Sequence, residues 1–128
     1  MRSVLSSALA VAIAASAYGA DVPNSYSDAQ VLWKKHKDTV EYQTYISEFV
    51  QFNNHFRIDV RSGCYALGQG TIGLMLVITQ PAGREFAVVV NVLSDGSSPK
   101  ARCFMKAYLG LQTKVPPYVP FVLQMTMG

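Results

Sequence analysis

Charge is scarce in this 128-residue chain: Asp, Glu, Lys and Arg together make up 15%, with 11 basic against 8 acidic residues. A balance so close to neutral, with no long basic tract, excludes the electrostatic footprint that nucleic acid requires. The densest basic stretch, Lys34-Lys35-His36-Lys37, reads as the solvated face of a helix. Cysteine is rarer still, with Cys64 and Cys103 the full complement. They form no Cys-x-x-Cys pair, which excludes the usual dithiol redox motif and a cysteine-rich zinc site. The two histidines, His36 and His55, have no carboxylate or cysteine at ligand spacing and are expected to face solvent. No serine or cysteine carries a nucleophile signature, so the expectation is a protein that is not an enzyme and needs no cofactor and no metal. No uncharged stretch offers the ~20 strongly apolar residues that cross a bilayer, so stable membrane insertion is not expected.

A leader is expected at the start. Met1 and Arg2 give a charged start, SVLSSALAVAIAASAYGA follows without charge, and small residues precede Asp21-Val22-Pro23. Residues 1–20 therefore read as a secretory signal peptide, with cleavage fitting after Ala17, Gly19 or Ala20. Residues 21–128 are of one-domain size, and the expected location is periplasmic or secreted. Without Arg2 the cations fall from 11 to 10 against the same 8 acids, a net charge of about +2.

Export gives the cysteines a meaning, because disulfides persist in oxidising compartments. A single intramolecular pairing exists, Cys64 to Cys103; an intermolecular bond and free thiols are the alternatives. Cys103 lies in SSPKARCFMKAYLG, 97–110, a helix by its Ser98 cap, Pro99 at the first position and Gly110 at the stop. Ala101, Phe104, Met105 and Tyr108 form its apolar stripe, and Cys103 stands off it between Arg102 and Lys106. A cysteine so placed suits a second segment tied to the helix's flank.

The chain divides into a helical front and a strand-rich back. Ser27-Asp28-Ala29-Gln30 has the capping-box pattern, and Asp38-Thr39-Val40-Glu41 opens a second helix or restarts the first. Tyr42, Tyr45, Ile46, Phe49, Asn53 and Phe56 then share one face. TIGLMLVIT at 71–79 and EFAVVVNVL at 85–93 flank a Pro and Gly turn and predict a hairpin whose strands are apolar on both faces. PFVLQMTM, 120–127, closes the chain as a strand in which Phe121, Leu123, Met125 and Met127 alternate with Val122, Gln124 and Thr126. The expected fold class is α+β: a three-stranded antiparallel or mixed sheet in the order strand, strand, helix, strand, with the N-terminal helical segment packed on it and one disulfide. Gly68-Gln69-Gly70-Thr71-Ile72-Gly73 matches a phosphate-binding spacing, but it opens a strand where that chemistry needs a helix.

From Gly70 onward the chain resembles the TonB-like carboxy-terminal domain family. The likeness is carried by the paired strands, the SDGSSP turn, the helix KARCFMKAYLG, Val115-Pro116-Pro117 and the last strand, about residues 70–128. The resemblance implies a fold and a habit of binding peptides. Energy transduction is not implied, since the long proline-rich spacer of that family is missing.

The function these readings support is an exported small binding module that engages an envelope protein or peptide partner, by strand addition at an open sheet edge. PFVLQMTM is the expected edge, because prolines lead into it. Binding candidates are Asn53, an amide on an apolar face, its neighbours Asn54 and His55, Tyr118 in the loop before the last strand, and Gln124 on that strand's wetter side. The alternative is a secreted inhibitor or immunity-type protein that blocks an enzyme with the loop Thr113–Val119, displaying an exposed Tyr118.

Overall fold

In a computed structural model the described residues are 22–128, so the proposed signal peptide lies outside them. Helix α1 spans Tyr26–His36, α2 Val40–Phe56 and the single turn α3 Ile58–Arg61, followed by a 3-10 turn at Cys64–Leu67. Strands β1 (Ile72–Thr79) and β2 (Ala87–Ser94), helix α4 (Pro99–Tyr108), and strands β3 (Gln112–Thr113) and β4 (Phe121–Met127) complete the chain.

The helix ends follow from capping. Ser98 accepts from the Ala101 amide at 3.1 Å and Pro99 occupies the first turn, which starts α4 as expected. The Thr39 hydroxyl accepts from the Tyr42 amide, making α2 a separate helix. At the front the expected capping box is displaced: Ser25, not Ser27, caps α1 by accepting from the Asp28 amide. Arg57 takes a left-handed φ of 56° between α2 and α3, a conformation costly for any residue with a Cβ.

All strand pairs are antiparallel and the order is β3-β2-β1-β4, so the sheet has four strands where three were expected, and the mixed alternative falls. The extra strand is only two residues long. After Gly110 turns the chain (φ 84°), Gln112 and Thr113 lie beside Val88 and Ala87, and the Val89 amide and carbonyl exchange bonds with Leu111 and Gly110. A β-bulge opposite Val77 and Ile78 leaves Val90 without a partner residue on β1.

Both faces of β1 are buried, which explains its unbroken apolar run. Met75 and Val77, with Val122, pack under Ala29 and Trp33 of α1. On the opposite face Leu74, Leu76, Ile78, Phe121 and Leu123 pack against Phe104 and Tyr108 of α4 and Tyr42, Tyr45 and Phe49 of α2. The Cys64–Cys103 disulfide is present, with Cα atoms 5.5 Å apart, and ties the 3-10 turn to the flank of α4.

Helix α2 joins parts of the sheet distant in sequence. The Tyr42 hydroxyl accepts from the Gln124 amide of β4 at 3.4 Å and from the Trp33 indole at 2.9 Å. One turn on, the Tyr45 hydroxyl donates to the Lys114 carbonyl at 2.7 Å and lies 2.9 Å from the Thr113 hydroxyl of β3. A turn has two ends, and here each reaches a different edge of the curled sheet.

Candidate functional site

The sequence-derived binding candidates do not converge. Asn53 is buried and accepts a 2.9 Å hydrogen bond from the Tyr108 hydroxyl, which joins α2 to α4. Burial first, then the nearby Asp59 and Tyr65, holds that phenol far above its usual titration range. Asn54 and His55 are exposed, and His55 stands edge-on to Phe56. Gln124 lies on the other side of the molecule's core, its amide held by Tyr42 and its side chain donating to Thr126.

Tyr118 corrects two expectations. Its ring is half-buried, 4.3 Å from the His36 ring and 5.1 Å from Phe121 between centroids. Burial pushes its phenol up to about 12, with Tyr42 and Glu41 adding to the effect. The exposed tyrosine on which the inhibitor reading rested is therefore absent, and His36 is packed on a ring where solvent was expected. The reason is local crowding around Phe121, which also stacks on Tyr42 at 5.3 Å and meets Tyr45 at 4.6 Å.

The expected edge, β4, does lie at one side of the sheet. Its outer side is met by α2 through the Tyr42 hydroxyl at Gln124, so an incoming strand would have to displace that contact. The Gly70 and Gly73 pair of the glycine-rich stretch serves structure: Gly73 donates to Asp95 Oδ1 at 3.2 Å, and a Cβ there would come within 3.2 Å of both Asp95 Oδ2 and the Tyr26 hydroxyl.

Besides a hollow of about 360 Å³ where α2 faces Lys114, Val115 and Pro117 of the loop before β4, three concave surfaces stand out among the described residues. An apolar groove of about 470 Å³ runs between Phe52 and Phe56 of α2, Ile58 and Arg61 of α3, and Ala107 of α4 with Leu111 beyond its end. A hollow of about 440 Å³ is lined by Tyr65, the Gly68-Gln69-Gly70 segment and Lys100. Lys100 is buried, donates to the Gly70 carbonyl at 2.7 Å and lies 5.4 Å from the Tyr65 ring centre. The third is a cleft of about 320 Å³ between Asn91 and Val92 of β2 and Arg102, Met105 and Lys106 of α4 with Leu109 just past its end.

None of these linings was selected from the sequence. The signal for the third was present, since Arg102 and Lys106 are one turn apart on the side of α4 away from its apolar stripe. Nothing in the sequence, however, places β2 beside them. Among the described residues no group of three or more His, Cys, Asp and Glu gathers to hold a metal, and no helix is long and apolar enough to cross a membrane. No family model, curated protein or solved structure matches the chain.

Proposed function

We propose that this chain is an exported binding module, periplasmic or secreted, that engages a protein or peptide partner of the cell envelope by adding the partner's extended segment to its sheet. The observation that carries the reading is an antiparallel sheet covered by helices on both faces yet left with one edge strand partly unpaired, since β3 meets only the first residues of β2. Main-chain groups at such an edge supply affinity without any particular side chain, while neighbouring pockets supply selectivity. The internal disulfide supports an oxidising compartment. The TonB-like character of residues 70–128 agrees with peptide binding and remains part of the proposal.

The test is capture from envelope extract on the immobilised, oxidised protein, with brief cross-linking before washing. A protein retained in a saturable manner, and competed by free oxidised protein, is the expected result. Retention no greater than on the bare support would overturn the reading.

A further inference from the structure

The two sheet edges are unequal. The outer side of β4 is contacted by α2 at Gln124. The outer side of β2 is paired with β3 at Ala87 and Val88, and Val89 is closed by Gly110 and Leu111. Past Val89 no strand flanks β2 among the described residues, so Val90–Ser94 continues the edge in line with β3; its Val92 amide is held only by the side-chain oxygen of the adjacent Asn91 at 3.0 Å, a local contact that an added strand would displace. The 320 Å³ cleft lies beside this stretch, with Asn91 and Val92 on one side and α4 on the other.

The wall of the cleft states what would fit. Met105 and Leu109 are apolar, and Leu109 is exposed. Arg102 and Lys106 are cationic, and among the described residues no carboxylate lines the cleft. Arg102 spends one guanidinium donor on the Ser97 carbonyl and keeps its others. Residues four apart on a helix are separated by about 6 Å along its axis. Residues two apart on a strand are separated by about 6.6 Å and point to the same face. A strand carrying carboxylates at alternate positions thus presents them at nearly the spacing of the two cations.

We infer that the cleft between β2 and α4 is a strand-addition site for an extended acidic segment of a partner protein, which pairs its backbone with Val90–Ser94 and its alternate carboxylates with Arg102 and Lys106. The inference rests on the binding-module reading and locates its site at β2, not at the expected β4. The added strand would continue β3 along the same edge, with its alternate carboxylates on the α4 side of the sheet and its intervening side chains on the opposite face. Electrostatic attraction at this rim makes binding weaken as salt rises.

The probe is a short labelled peptide of alternating valine and glutamate, with its valine and lysine counterpart as control. Binding is followed by fluorescence anisotropy at low and high salt, and amide hydrogen exchange locates the bound strand. The glutamate peptide is expected to bind, more weakly in high salt, and to protect amides within 90–94 without protecting Val122–Thr126. The double variant Arg102→Glu, Lys106→Glu should bind it at least tenfold more weakly and should gain affinity for the lysine peptide. That gain excludes misfolding as the cause of the loss.

Equal affinity for both peptides, or no binding of the glutamate peptide up to millimolar concentration, overturns the inference. Protection confined to β4 or to the groove at Phe52 and Phe56 overturns it while leaving the binding module intact. So does an envelope partner captured equally well by the wild type and the double variant. Failure of the capture experiment itself, with the peptide binding as described, would instead remove the envelope partner and keep the cleft.

Discussion

Removal of the Cys64–Cys103 bond is the sharpest perturbation of this fold, because the bond connects the front of the chain to the outer flank of α4. Its Cα atoms are 39 residues apart in sequence. Closing a loop of that length in the unfolded chain costs an entropy of about 13 cal/mol/K on the chain-entropy relation, or roughly 4 kcal/mol at 25 °C. That is a large share of the roughly 5–15 kcal/mol that holds a domain of this size together. The variant Cys64→Ala, Cys103→Ala also removes two sulfurs from an environment where Cys64 is fully buried, which adds a small packing loss to the entropic one. Urea unfolding of the oxidised protein and of the double variant, followed by circular dichroism, should show the variant's midpoint lower by about 2 M, for a slope near 2 kcal/mol/M. A shift below about 0.3 M would refute the reasoning, since the bond would then constrain almost nothing in the unfolded chain. Intact-mass analysis of exported material must show the bond in place, with no alkylatable thiol, for the comparison to apply.

The buried Thr79 hydroxyl has no hydrogen-bond partner among the described residues, so Thr79→Val should raise stability by about 1 kcal/mol; a loss of stability would mean the hydroxyl is satisfied. Tyr108→Phe leaves the buried Asn53 oxygen without its donor and should cost about 1–3 kcal/mol in thermal or urea unfolding, with little further loss when Asn53→Ala is added. Folded-state pKa values above the usual phenol value mean that the folded protein holds its protons more tightly than the unfolded chain. The contribution of Tyr118, raised to about 12, is therefore fully present below pH 10 and lost as pH rises through 12. Ultraviolet phenolate titration should show a tyrosine ionising late, together with unfolding, and Tyr118→Phe should remove part of that alkaline dependence.

Particular residues show where sequence reasoning carries and where it stops. The start of α4 was legible because Ser98 and Pro99 act within one turn of where they stand in the chain. Asn53 was legible as an anomaly, an amide in the middle of an apolar face, but its partner was not, because Tyr108 is 55 residues away. The partial burial of Tyr118 escaped detection for the same reason: a tyrosine after two prolines looks like a loop tip, and only the meeting of α1 and β4 puts His36 and Phe121 against it. Arg102 and Lys106 looked like two ordinary surface cations. They line a cleft only because the chain after Gly110 pairs with β2 for a few residues and then departs.

The amino-acid sequence by itself determined the identities of the main helices and strands, the apolar character of both faces of β1, and the one intramolecular pairing open to its two cysteines. Periodicity, capping and turn chemistry act over a few residues, so they can be read from order alone. Tertiary structure decided the strand order, the two-residue strand β3, the closure of β4 by Tyr42 and the open stretch of β2. Those features depend on main-chain hydrogen bonds between distant segments, and the backbone that makes them is nearly the same at every residue.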